Sequence, residues 1–295
     1  MGCLSFWRFV AAKKRYKPVF RKPRNQRKAL DAPDNKFRVD IQGSFYPTIR
    51  YTYTHCQNVE AAHALVMKNI GKSILDKTSA VLYFDGAQCK EKLETQRRRQ
   101  NARAKAIDHA DAHVATFMDR VTNGAHIRKH HFANVRKQLS NAFRWNVDAR
   151  SGLALFLQSH GWTVVQCETE ADVRIAADTV EGDIVISGDS DLFIYERITV
   201  VWRPQHGGSF LEYKKKAVLS ALGLESAAQL TVLGIVSTND YNHSVNGLGC
   251  ETNCNIIKAI NAKGSDDQGM HYHVCIDGII FSQGCRSSSA RIPSR

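Results

Sequence analysis

Four apolar runs, each stopped at or next to a carboxylate, constrain this chain more than any other feature. FRVDI at 37–41 carries Asp40, SAVLYFDG at 79–86 stops at Asp85, GWTVVQC at 161–167 stops at Glu168, and DIVISGDSD at 183–191 stops at Asp189. Segments of helical composition separate them, at 57–69, 90–120, 126–141, 148–160 and 170–180. This alternation predicts an α/β fold with a mainly parallel central sheet flanked by helices, its ligand crevice outside the carboxyl ends of the strands. The acids then converge on one cleft.

A single aspartate after a strand is ordinarily a helix cap or turn residue. Four such ends, two of them doublets (Glu168-Thr169-Glu170 and Asp189-Ser190-Asp191), exceed what capping needs. Clustered carboxylates repel unless cations compensate, and an all-carboxylate cleft suits hard ions, Mg²⁺ with Mn²⁺ as substitute. Two ions in such a cleft support phosphodiester hydrolysis.

Charge points to the same substrate. The 295 residues hold 41 Lys and Arg against 28 Asp and Glu, a net charge of +13 that favours a polyanionic partner. Ten basic residues and no acid fall within 1–28, a nucleic-acid arm or nuclear import signal, with a mitochondrial presequence as the alternative. A second cluster, Lys90 to Lys105, contains Lys92, Arg97, Arg98, Arg99 and Arg103 on an expected long helix; a third contains Arg128, Lys129, Arg136 and Lys137. A hydrophobic content of 43% excludes a mostly disordered chain. No run approaches the roughly 18 apolar residues of a membrane span. The eight cysteines form no strong metal pattern, which favours reduced thiols.

The last third changes character. An apolar helix-like run at 222–236 leads through Thr238-Asn239-Asp240-Tyr241 and Val245-Asn246-Gly247-Leu248-Gly249 to a second helix-like run from Glu251 to Ala262. A Gly-x-Gly turn between helices can offer backbone N–H groups to a phosphate.

These residues resemble the structure-specific 5′ nucleases, the family of flap endonuclease, the mismatch-repair 5′ exonuclease, the excision-repair incision nuclease and the Holliday-junction resolvase. The opening Met-Gly-Cys-Leu-Ser-Phe-Trp, FRVDIQGSFY at 37–46, VLYFDGAQCKEKLETQRRRQ at 81–100 and QCETEADVRIAADTVEGDIVISGDSDLFIY at 166–195 carry the resemblance. It implies a PIN-like nuclease domain over 37–220 after a basic segment at 1–36. Within that domain fall a helical arch near 90–133 and the internal motif near 148–195. A helix-two-turn-helix duplex-binding region over 221–262 and an irregular tail at 263–295 follow. It implies two metal ions held by Asp40, Asp85, Glu168, Glu170, Asp189, Asp191 and Asp240, with Lys92 and Arg99 as catalytic cations at the arch base. Gly2, Arg97, Arg98, Arg103, Gly247 and Gly249 would contact nucleic acid. Cys250-Glu251 after the turn departs from the family, and an acid there should weaken phosphate contact. The sliding-clamp motif is missing.

The expected function is a nuclear, monomeric, metal-dependent nuclease for DNA with single-strand/double-strand junctions, serving repair or replication. An RNA-directed PIN-like nuclease and a non-catalytic nucleic-acid binder are the alternatives.

Overall fold

A computed structural model describes residues 4–13, 16–23, 26–87, 92–237, 248–264, 274–276 and 279–281. Gly2, Asp240, Gly247 and most of the expected tail lie outside the described residues.

Each predicted strand forms at the expected place: β2 (Phe37–Asp40), β3 (Ala80–Phe84), β4 (Thr163–Gln166) and β5 (Ile184–Ile186), after a short β1 (Val19–Arg21). β6 (Val200–Pro204) and β7 (Phe210–Lys214) complete a seven-stranded sheet of order β1-β7-β6-β5-β2-β3-β4. The sheet is mixed rather than mainly parallel throughout: β6, β5, β2, β3 and β4 run parallel, while β7 and β1 add antiparallel on one edge. The reason is local. Only residues 205–209 join β6 to β7, too few for a crossover, and Gly207 and Gly208 take positive φ there. β1 is fastened by Arg21, whose guanidinium makes two hydrogen bonds of 2.9 and 3.0 Å to the buried Glu212 carboxylate.

Side chains of the central strands alternate between two cores. Phe37, Val39, Leu82, Ile184, Ile186 and Trp202 face α2 (Ile41–His55), α3 (Val59–Ser73) and α6 (Val147–Ser159). Val81, Tyr83, Val185 and Val201 face α1 (Leu4–Ala12), α7 (Ala171–Asp178), α8 (Lys215–Leu222), α9 (Ala227–Val236) and α10 (Cys250–Gly264). Strand period and helix layers thus give an α/β/α arrangement.

Between β3 and α6 the chain makes a helical excursion, α4 (Leu93–Thr122) and α5 (Lys129–Ala142), which pack on each other through Phe117 and Phe132. At 30 residues, α4 is about 45 Å long. The single run expected at 222–236 is broken: Gly223, at φ +67°, ends α8, and Ser226 caps α9 by accepting from the Gln229 N–H. Cys250 and Cys254 are buried on α10, their Sγ atoms donating to Ser237 Oγ and to the Leu222 carbonyl. Glu251, the acid after the glycine turn, pairs with Lys13 at 3.0 Å on the surface. Among the described residues no single helix is long and apolar enough to cross a membrane.

Candidate acid site

β2 is the strand at which the sheet reverses direction of growth: β3 and β4 follow on one side, β5 and β6 on the other. The crevice at such a switch point is where α/β sheets place ligands. Asp40 ends β2 there and caps α2, accepting from the Gly43 N–H at 2.8 Å. The Ser187 hydroxyl, just past β5, donates to its other oxygen at 2.7 Å. Ser187 Oγ in turn accepts from the Asp189 N–H at 2.9 Å, and Asp189 Oδ1 from the Asp191 N–H at 3.0 Å. A Cβ on Gly43 would collide with the Asp40 carboxylate and Ser187 Oγ, so only glycine lets these ends meet. From α1, Trp7 Nε1 donates to the Gly188 carbonyl at 3.0 Å and supports the turn from below.

Asp85 follows β3 and accepts from the Ala171 N–H at 2.8 Å, at the start of α7. The Asp85-Gly86 turn lies against the segment that leads into α7: Gly86 N–H donates to Thr169 O at 2.6 Å and Ala87 N–H to Glu168 O at 2.8 Å. Gly86 has no room for a Cβ against the backbone of Cys167 and Glu168. Gly86→Ala is therefore expected to displace Asp85 and cost about 1–3 kcal/mol of stability, read as a lowered midpoint in thermal melts. An unchanged melt would show that the turn yields.

The electrostatics identify which acids share the cleft. Burial pushes Asp40 up to about 7, with Asp85 and Asp189 adding repulsion against the two hydrogen bonds. Asp85 is raised by burial and by Glu170, while the Ala171 N–H, Arg150 and Lys92 draw it down. Asp172 is raised well above the usual carboxylate range, first by burial, then by Asp189, Asp40 and Asp85. Asp40, Asp85, Asp172 and Asp189 thus lie within electrostatic reach of one another, Glu170 within reach of Asp85, and Asp191 adjoins through the Asp189 turn. Asp172, in the first turn of α7, was not among the residues expected from the sequence. Its signal was a third acid in the same register, Glu168-Thr169-Glu170-Ala171-Asp172. Glu168 is exposed, and its carbonyl is engaged by Ala87.

Lys92 stands at the N-terminal boundary of α4 and its Nζ meets Glu170 Oε2 at 2.6 Å, both side chains largely withdrawn from water. Arg99 and Arg103 are half-buried, on the stripe of α4 that also carries the buried Thr95, Ala106 and Ala110; Arg97 and Arg98 are exposed. Gly249 is exposed just before α10.

The donor set fits a hard divalent ion: oxygen donors, excess negative charge, and a buried Asp40 among half-buried carboxylates whose ionisation lacks full compensation. Among the described residues no three His, Cys, Asp or Glu side chains already stand close enough to hold an ion. Lys92 occupies Glu170, and backbone N–H groups occupy Asp40 and Asp85.

No family model and no curated protein matches the sequence. By structure, the chain is similar to the catalytic core of Rad2 in complex with DNA substrate. One such structure has 18% identity, covering 90% of this chain and 73% of that one at a TM-score of 0.54; a second has 17% identity, covering 88% and 69% at 0.52. It is also similar to the eukaryotic junction-resolving enzyme GEN-1 binding with potassium, at 12% identity, covering 91% of this chain and 53% of that one, with a TM-score of 0.51. At these identities the likeness is one of fold, and that fold is the mixed-sheet α/β core of the Rad2 type rather than a specifically PIN-like one.

Proposed function

We propose that this protein is a divalent-metal-dependent, structure-specific nuclease that hydrolyses phosphodiester bonds in branched or flapped DNA. The observation that carries this reading is the meeting of Asp40, Asp85, Glu170, Asp172 and Asp189 at the switch point of a Rad2-type sheet. A binding-only protein gains nothing from buried, mutually repelling carboxylates beside phosphates.

These acids, with Asp191 and Asp240, would hold two Mg²⁺ or Mn²⁺ ions. When bound, such ions activate water and stabilise the leaving oxygen. The chain's own residues do the rest. Asp40 and Asp85 are fixed by backbone N–H groups before metal arrives, so they need little reordering. Lys92 stands beside Glu170, and Arg99 and Arg103, on the same stripe of α4, would join it in steering the scissile phosphate.

The deciding experiment is metal-dependent cleavage of a matched panel of labelled flap, gap, bubble and four-way-junction DNAs and their RNA counterparts. Cleavage of branched DNA with Mg²⁺ and none in EDTA is expected. Preference for the RNA set would assign the site to RNA, and no cleavage of any member would sink the nuclease reading. Within that assay Lys92→Ala and Arg99→Ala are each expected to lower single-turnover cleavage about tenfold or more, with modest loss of binding. Arg103→Ala should act mainly through salt-sensitive affinity. Equal small losses in all three would make the stripe a general electrostatic surface.

A further inference from the structure

The α4–α5 excursion leaves the sheet after β3 and returns at α6, and a cation stands at each foot. Lys92 is the first. The second is Arg150, in the first turn of α6, which the sequence reading did not single out. Its side chain is 8% exposed, and its Nη2 donates to the Gly86 carbonyl at 3.2 Å, one residue beyond Asp85. Its Nε is buried with no hydrogen-bond partner. A guanidinium withdrawn from water is costly unless a negative charge compensates it, and its charge reaches the Asp85 carboxylate. The same turn is held from its other side by the backbone bonds of Gly86 and Ala87 to 168–169. Asn146 caps α6 by accepting from the Ala149 N–H at 2.8 Å, so the first turn that carries Arg150 is itself fixed.

We propose that Arg150 is a positioning residue of the acid site: it presses the Asp85-Gly86 turn against the segment bearing Glu170 and Asp172, and so sets the separation across which these acids share metal. This rests on the acid cleft being the metal site. Arg150 touches neither metal nor substrate in this role. It acts as the outer partner of a ligand, and loss of such a partner typically weakens metal binding about 10–100-fold.

The test is Mn²⁺ titration of the intact protein by calorimetry and by electron paramagnetic resonance, with thermal melts alongside. Arg150→Met is expected to weaken Mn²⁺ binding about tenfold or more, and Arg150→Lys, which keeps charge and a donor, to stay within about threefold of wild type. Leu153→Ala, a fully buried neighbour on α6, is the control for general loosening: it should lower the melting midpoint and leave Mn²⁺ affinity unchanged. Where Arg150→Met does not fold, Arg150→Gln is read in its place. Wild-type affinity in the Met or Gln variant, or a loss no larger than that of Leu153→Ala, overturns the positioning role alone. Wild-type Mn²⁺ binding that Asp85→Asn leaves untouched would overturn the metal-site reading and this inference with it.

Discussion

Asp40→Asn is expected to reduce metal-dependent cleavage at least about a thousandfold and, without metal, to make the protein more stable at neutral pH. The first effect would follow, on the proposed reading, from removing a buried oxygen that holds metal, worth several kcal/mol of transition-state charge stabilisation. The second follows from the direction in which Asp40 is displaced. Burial, with repulsion from Asp85 and Asp189, raises it to about 7. Between about pH 4 and 7 the folded chain therefore holds a proton that the unfolded chain has released, and stability falls as pH rises through that window. A displacement of that size corresponds to up to about 4 kcal/mol at pH 8. Asparagine keeps an acceptor for the Gly43 N–H, and its amide NH₂ can donate to Ser187 Oγ in place of the bond the carboxylate accepted, without the charge. Melts in EDTA at pH 5.5 and 8 should show the wild type losing several degrees across the interval and Asp40→Asn losing clearly less, the remainder belonging to the raised Asp85 and Asp172. Mn²⁺ at pH 8 should restore the wild type and leave the variant unmoved. A wild-type midpoint indifferent to both pH and Mn²⁺ would mean that the cleft carries no uncompensated acid.

That trade of stability for charge explains which parts of the molecule were legible beforehand. Asp40, Asp85 and Asp189 could be read because they interrupt runs too apolar to be anything but buried strands. α2 could not. Gly43, Pro47 and a stretch rich in Tyr and Thr argue against a helix, although Ile41, Phe45, Ile49 and Thr52 bury one face of it. Pro47 cannot donate to the carbonyl of Gly43, four residues back, and that carbonyl instead accepts from the Gly188 N–H at 3.2 Å. The residue that hides the helix from sequence reading thus frees the acceptor that ties the Asp189 turn to the Asp40 turn. The β6–β7 hairpin was missed for a plainer reason: its strands carry Arg203, Pro204, Glu212 and Lys214, and the buried charge of Glu212 is compensated by Arg21, Trp202 and, at 3.9 Å, Lys214.

Glu168 and Asp172 supply the sharpest contrast, because the sequence offers two overlapping doublets with Glu170 common to both. The strand reading favours the first: acids at a strand's end face the crevice, and the apolar run stops at Glu168. The structure ends β4 at Gln166 and starts α7 at Ala171, so Glu168 falls in the intervening turn, exposed, while Asp172 enters the first helical turn. Glu170 is the N-cap residue of α7 and Asp172 stands in its first turn, flanking Ala171, whose N–H meets Asp85. Asp172 is held high by Asp189, Asp40 and Asp85 after burial itself, which ties it to three acids from three other segments. Asp172→Asn is accordingly expected to lower single-turnover cleavage about a hundredfold or more and to weaken Mn²⁺ binding, with Glu168→Gln within about threefold of wild type on both. The reverse order would return the ligand pair to Glu168 and Glu170. Equal large losses would make all three acids part of the site. With the expected order, the pair contributed by this segment is set by where α7 begins, at Ala171, rather than by where the apolar run ends, at Cys167.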